Sequence, residues 1–284
     1  MSRAEQATAC VEALVAASGL PRAEARALLA QLLGLPRERL VAHPRMPVDA
    51  EAAARFAAAA ARRRDGVPFA YLVGQQEFHG LAFAVDPSVL VPRPDTETLV
   101  DAVLERLRGE AGHAGVASPR ILDLGTGSGC IAITLALRLH GARVAAVDAS
   151  SQALEIARRN ALALGAEVEW IHSDWWEALD PEARYDVIVS NPPYVAEGDP
   201  HLAALHAEPR AALVSGAHGL DALRRIVAGA PRHLAPGGLL AVEHGYDQRE
   251  AVRALFVDAG FRSIEVLDDA AGVARVCLGR DTRA

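Results

Sequence analysis

From Arg120 onward, short β-branched runs alternate with helical stretches: "RILDL", helix, "RVAAVD", helix, "VEWIH", connection, "YDVIVS", connection, helix, "GGLLAVE", helix, then "RSIEVL" and "ARVCLG". This rhythm constrains the chain more than any other feature, because it implies a parallel, doubly wound sheet with helices on both faces. The first run passes through Gly125-Thr126-Gly127-Ser128-Gly129-Cys130 directly into "IAITLALRL". Glycines at such a turn let backbone approach a ligand, and the helix N-terminus presents free N–H groups. Asp148 closes the next run, about 20 residues further on, where a carboxylate can accept both hydroxyls of a ribose. Turn and carboxylate together imply a cofactor of adenosine type, with a tight turn and an N-cap as the alternative.

The rest of the chain bounds the function. At 284 residues and 51% hydrophobic, with a mean hydropathy of +0.13, it reads as soluble and globular, with material for one large or two modest domains. No run approaches the roughly 18 apolar residues of a membrane span, and the N-terminus lacks a leader pattern, so the expected location is the cytoplasm and no membrane partner is expected. Cys10, Cys130 and Cys277 have no ligand spacing, and neither a disulfide framework nor a metal site is expected. All 29 basic residues are arginine, yet the formal charge is -7. That acidity argues against a phosphate-backbone binder, so a protein or small-molecule substrate fits better than nucleic acid. The single basic cluster, "ARRRDG" at 61–66, reads as a solvated helix end.

Residues 1–70 have helical periodicity, as at Leu28, Leu29, Leu32 and Leu33, broken at "SGLPR", "GLPRERL" and "HPRMPVDAE". They carry no motif for chemistry and are assigned to substrate recognition. Residues 71–94 show two alternating runs separated by Gly80, a hairpin ending at a proline-rich hinge. Residues 95–284 form the catalytic domain, opening on a helix capped by Asp95 or Thr96. The stretch 108–120 is expected to be a loose loop.

The cofactor is narrowed by Asp123, two positions before the first glycine. A nicotinamide fingerprint usually has only apolar residues there, whereas D-x-G-x-G-x-G resembles enzymes that use S-adenosylmethionine. Asp174 in "IHSDWW" stands where such enzymes place a carboxylate near the adenine amine, with Trp175 available to cover the ring. A helix N-cap and core packing are the alternative roles of Asp174 and of Trp175 with Trp176.

"SNPPYV" follows "YDVIV" at the same carboxyl edge of the sheet. Pro192 and Pro193 have fixed φ and no N–H, and Pro192 keeps Asn191 out of the helical region. Rigid carbonyls and the Asn191 side-chain oxygen form an acceptor pair suited to a planar NH₂ group. Tyr194 can stack on that plane or face a sulfonium, an effect of about 0.5 to 2 kcal/mol.

N-P-P-Y after such a glycine loop resembles the amino-methyltransferases of planar nitrogens. "YLVGQQEFHGLAFAV", "VLVPRPDTETLV", "AEPRAALVSGAHGLD", "PGGLLAVEHGYDQ" and "DDAAGVARV" are similar to the release factor glutamine N5-methyltransferases. The resemblance, from about residue 66 to the end, implies a class I S-adenosylmethionine-dependent methyltransferase fold: α/β, Rossmann-like, with a seven-stranded sheet and a small helical N-terminal domain. It implies methylation of the glutamine in the Gly-Gly-Gln motif of peptide chain release factors. The catalytic residues would be Asn191, Pro192, Pro193 and Tyr194. The cofactor would be held by Gly125, Thr126, Gly127, Ser128, Gly129, Asp148, Asp174, Trp175 and Asn191. A ribosomal-protein glutamine methyltransferase shares N-P-P-Y but usually lacks the R-P-D-T-E form of Arg93–Glu97, in which Arg93, Asp95 and Glu97 have cofactor, substrate or hinge as candidate partners. An adenine N6-methyltransferase of nucleic acid and a cofactor-binding module without catalysis are the other rivals. A monomer is expected.

Overall fold

The computed structural model describes residues 9–108 and 118–281. Residues 109–117 of the loop expected at 108–120 lie outside the described residues. The chain divides into two compact units, 1–75 and 76–284.

In the first unit the order is β1 (Ala9–Cys10), α1 (Val11–Ala17), α2 (Arg22–Leu33), α3 (Arg37–Ala42), β2 (Pro47–Val48), α4 (Ala50–Arg64) and α5 (Phe69–Val73). Its core gathers Val11, Val15, Leu28, Leu29, Leu40 and Phe56, the apolar stripes of the helices. The β1–β2 pair has only two residues a strand, too short to show a period in sequence. Asp49 caps α4 by accepting from Ala52 N at 2.7 Å. The arginines that end α4 lie in its last turn, where cations suit the helix dipole. Arg63 and Arg64 do more than meet solvent: they bond Glu24 and the Ser18 carbonyl.

The second unit opens within β3 (Gln75–Phe78), which pairs with β4 (Leu81–Ala84) as the expected hairpin. His79 at φ 53° and Gly80 at φ 78° supply the two positive φ angles of a type I′ turn. The hairpin is shorter than the sequence suggested. Residues 71–73, read as strand, belong to α5, which ends at Gly74 in the left-handed conformation. A five-residue apolar run fits either period; here Phe69, Leu72 and Val73 find a helical core to cover.

A 3-10 turn at Pro94–Thr96 leads into α6 (Glu97–Arg108). There follow β5 (Arg120–Leu124), α7 (Cys130–Arg138), β6 (Arg143–Asp148), α8 (Ser151–Leu164), β7 (Glu169–His172), β8 (Tyr185–Ser190), α9 (Asp221–His233), β9 (Leu234–Glu243), α10 (Arg249–Asp258), β10 (Arg262–Asp268) and β11 (Ala274–Arg280). The sheet has seven strands in the order β10-β11-β9-β8-β5-β6-β7. It is mixed, not wholly parallel: β11 runs antiparallel to both β9 and β10. The β10–β11 connection is too short for a crossover, and Asp269 closes it as a turn by accepting from Ala271 and Val273 N–H. One face of the sheet packs on α6 and α7, the other on α9 and α10. The chain winds from β5 to β6 and β7 on one side, then to β8 and β9 on the other. The switch point falls between β5 and β8, whose carboxyl ends bear the glycine turn and "NPPY".

Candidate active site

The turn after β5 is built by its own glycines and by Asp123. Gly125, Gly127 and Gly129 have φ of 73°, 54° and 82°, a region other residues enter at a cost. Asp123 is fully buried, and its Oδ2 accepts from Thr126 Oγ1 at 2.7 Å. Burial pushes its carboxyl up to about 7, against the lowering effect of the bonds from Thr126 and the Ala132 backbone. A group whose folded pKa lies above its unfolded value supports the fold most fully below the unfolded value, near 4, and loses that support as pH rises to 7. In melting experiments between pH 5 and pH 8, Asp123→Asn should therefore gain on the wild type as pH rises. A difference in melting temperature that is flat with pH would contradict this.

Asp148 ends β6, facing the turn. Its Oδ2 accepts from Gly127 N and its Oδ1 from Ser150 N, both at 2.8 Å. Burial raises its pKa, opposed by these two N–H groups. Each oxygen retains a lone pair for a hydroxyl donor. Asn160 of α8 braces the turn from behind. Its Oδ1 accepts from Ala84 N, and its Nδ2 donates to the Ala84 and Ser128 carbonyls, at 2.7, 3.0 and 2.9 Å. This buried amide joins the hairpin to the glycine turn.

The turn forms one wall of a cavity of about 660 Å³, within the usual range for small-molecule sites. Gly125, Thr126, Gly127, Ser128, Asp148, Asp174, Trp175, Asn191 and Pro193 all line it. A Cβ on Gly127 would meet nothing within 4 Å, so that backbone faces open space. Trp175, at the unusual φ of 53°, lies against Gly125: a Cβ there would come within 3.3 Å of the indole. Asp174 pairs at 3.0 Å with Arg225 of α9, which also lines the cavity. Trp176 points elsewhere, stacking on His233 with 5.1 Å between ring centroids and donating to the Arg225 carbonyl.

At the opposite wall, Asn191 Nδ2 donates to Thr96 Oγ1 at 3.0 Å. Among the described residues Asn191 Oδ1 takes part in no hydrogen bond, and neither do the carbonyls of Pro192 and Pro193. Of the residues expected to form the acceptor group, Asn191 and Pro193 line the cavity and Pro192 does not. Tyr194 departs from the expectation. It does not line the cavity; its ring packs into the core beside α9 and α10, and its hydroxyl donates to Glu243 Oε1 at 3.0 Å. Its carbonyl accepts from Gln248 Nε2 at 2.9 Å. Pro192 is buried behind the wall, and Gly129 is taken up by packing: a Cβ there would lie 2.9 Å from Ile133 Cδ1 and 3.1 Å from Ala157 Cβ.

Arg93, Asp95 and Glu97 have partners within this unit. Arg93 pairs with buried Glu208, which also accepts from Val91 N; Asp95 pairs with Arg275 at 3.3 Å; Glu97 accepts from His79 N at 2.8 Å. Arg93 alone of the three borders the cavity. Thr96 is not a helix cap: it is the partner of Asn191. Sequence reasoning missed Thr96, Glu243, Asn160 and Arg225. Glu243 did leave a signal, an acid closing the apolar run "LLAV".

Two family models match the chain, the PrmC N-terminal domain over residues 6–74 and the methyltransferase small domain over residues 100–220. A release factor glutamine methyltransferase from Bordetella pertussis is 50% identical over 94% of this chain and 97% of its own length. One from Burkholderia pseudomallei is 47% identical over 99% of both. Among solved structures, a T. thermophilus 16S rRNA methyltransferase in complex with AdoMet and guanosine superposes with a TM-score of 0.55 at 26% identity, over 74% of this chain and 50% of that one. With identity near one half along nearly its whole length, and with a seven-stranded sheet that carries the glycine turn and "NPPY" on one edge, the chain belongs to the release factor glutamine methyltransferase family.

Proposed function

We propose that this protein transfers a methyl group from S-adenosylmethionine to the side-chain amide nitrogen of the glutamine in the Gly-Gly-Gln motif of peptide chain release factors. The observation that carries this reading is the unpartnered Asn191 Oδ1, at a cavity that Asn191 and Pro193 share with the glycine turn and Asp148. The residues present fit the cofactor: open space before Gly127, a carboxylate with lone pairs to spare at Asp148, and an indole over Gly125. Asp148 would take the ribose hydroxyls, the backbone of Gly125–Ser128 would lie along the cofactor, and Asp174 with Trp175 would hold the adenine. When bound, S-adenosylmethionine supplies an electrophilic methyl group on a sulfonium.

The chain's own task is to present the nucleophile. An amide nitrogen is a poor one because its lone pair is delocalised into the carbonyl. Asn191 Oδ1, with the Pro192 carbonyl, accepts the N–H groups of the substrate amide and so fixes the nitrogen's orientation. As the N–C bond forms and the sulfonium's S–C bond breaks, the nitrogen's hydrogens become more acidic and both bonds strengthen, until one proton leaves to solvent and a neutral N-methyl amide remains. Contacts that strengthen toward the transition state raise the rate and not merely the affinity. Proline leaves these carbonyls little freedom, so orientation is set before substrate arrives. No helix among the described residues is long and apolar enough to cross a membrane. The names of the full-length relatives favour a release factor over a ribosomal protein or a nucleic-acid adenine as substrate.

The test is intact-mass measurement of a whole release factor after incubation with enzyme and S-adenosylmethionine. A single methyl group should appear at the Gly-Gly-Gln glutamine; no mass change would refute the assignment. The N-terminal unit is proposed to recognise the protein substrate, since it has a core of its own and carries no motif for chemistry. A chain beginning at Gly74 should still bind S-adenosylmethionine but lose most activity on a whole release factor. If it modified that protein at the full rate, recognition would have to reside elsewhere.

A further inference from the structure

An amide side chain has a donor end and an acceptor end, and only one orientation of Asn191 serves the reaction. Its Nδ2 donates to Thr96 Oγ1 at 3.0 Å, which leaves Oδ1 for the substrate. Were the amide turned over, its NH₂ would meet the substrate NH₂, donor against donor. Asn191 keeps the productive orientation only while Thr96 Oγ1 acts as its acceptor, which requires the Thr96 hydrogen to be held on another side. Glu243, the last residue of β9, stands there. It is almost completely buried, Tyr194 donates to its Oε1 at 3.0 Å, and the Thr96 hydroxyl lies beside the same carboxylate. Its Oε2 is buried and otherwise without a partner among the described residues, leaving it for the Thr96 hydrogen.

We propose that Glu243 is a positioning residue for the methyl transfer: its ionised carboxylate collects the Thr96 and Tyr194 hydroxyl hydrogens and, through Thr96, holds Asn191 with its oxygen toward the substrate amide. The proposal rests on the reading of Asn191 as the amide acceptor. A carboxylate only accepts, so the polarity of the chain Asn191 to Thr96 to Glu243 is fixed at its far end. A protonated Glu243 donates. It would give its hydrogen to Thr96, whose own hydrogen would then turn to Asn191 and hold Oδ1, leaving the NH₂ toward the cavity.

The surroundings place that switch near neutrality. Burial pushes the Glu243 carboxyl up to about 7, aided by Asp95 and opposed by Thr96, Tyr194 and Arg275. Arg275 of β11 is shared with Asp95 and Asp269, and Cys130 at the head of α7 also faces Glu243. Cys130 is itself pushed up to about 12 by burial, so it stays a neutral thiol across the range concerned. The rate of transfer should accordingly rise as pH increases through about 7, where Glu243 loses its proton.

The experiment is single-turnover methylation of a whole release factor by the full-length enzyme, followed by intact mass from pH 5.5 to 8.5 (about the span that brackets a group near 7). Thr96→Val keeps the shape and removes the hydroxyl. It should slow transfer about tenfold or more while S-adenosylmethionine affinity stays within about twofold, and Thr96→Ser should restore most of the rate. Glu243→Gln, neutral at every pH, should be slow and lose the wild-type rise, whereas Asp123→Asn should retain that rise. Thr96→Val as fast as wild type, or Glu243→Gln with the wild-type pH profile, would overturn the proposal. Should Thr96→Val fail to fold, the Glu243→Gln profile decides. An inactive wild type, or Asn191→Ala at full rate, would instead remove the acceptor reading beneath it.

Discussion

Asn191→Ala should lower the rate of methylation by about a hundredfold or more while leaving affinity for S-adenosylmethionine nearly intact. The size follows from the role: losing one preorganised partner of a group whose charge changes in the transition state costs about 10² to 10³ in rate. Among the described residues Asn191 Oδ1 has no internal hydrogen bond to fall back on, so in the proposed role its whole contribution goes to the substrate amide. Asn191→Asp is the sharper variant. It preserves size and an acceptor, but it has no N–H for Thr96 and adds a negative charge beside the sulfonium, which steadies the ground state without restoring transfer. Tyr194→Phe should be milder, since the ring packs in the core and only the bond to Glu243 is lost. Calorimetry for the cofactor and mass shift at the Gly-Gly-Gln glutamine separate the two steps. An Asn191→Ala enzyme at wild-type rate would reduce "NPPY" to a stiff turn.

Asp148→Ala should weaken S-adenosylmethionine binding at least about tenfold, because a hydrogen bond to a charged group is worth about 1.5 to 3 kcal/mol. The structure adds a second route to the same loss. Asp148 also accepts from Gly127 and Ser150 N–H, so alanine leaves two backbone donors without an acceptor, one in the glycine turn and one at the head of α8. Asp148→Asn separates the routes, since its one oxygen can still accept from a backbone N–H and from one hydroxyl while its NH₂ puts a donor where the second acceptor stood, and an intermediate affinity is expected. Unchanged affinity in Asp148→Ala, measured by calorimetry on protein whose ligand-free melting is also recorded, would refute the ribose assignment.

The sequence carried the catalytic unit far because its signals are local. Each β-branched run between helical stretches became a strand, and β5, β6 and β8 match "RILDL", "RVAAVD" and "YDVIVS" residue for residue. The glycine turn was legible because positive φ at Gly125 and Gly127 is a property of those residues in that place. Asn191 was legible because proline restricts the residue before it whatever surrounds it. The sequence failed where two answers were locally equivalent. Phe69–Val73 could be strand or helix, and only the core it covers chose helix. Trp175 and Trp176 could each be cofactor wall or core, and the left-handed φ of Trp175 sends them apart.

By itself, then, the sequence determined the order of strands and helices, the glycine turn that lines the cavity, and a proline-stiffened Asn191 at the same edge. Each is encoded by residues adjacent in the chain. The tertiary structure alone decided which acceptor end faces outward, why Tyr194 lies behind the cavity wall, and that β11 runs against its neighbours. Thr96 and Asn191 are 95 positions apart in sequence, and Tyr194 and Glu243 are 49 apart. A hydrogen bond's direction depends on what each partner's other atoms are bonded to, and those partners meet only when the sheet closes over its helices.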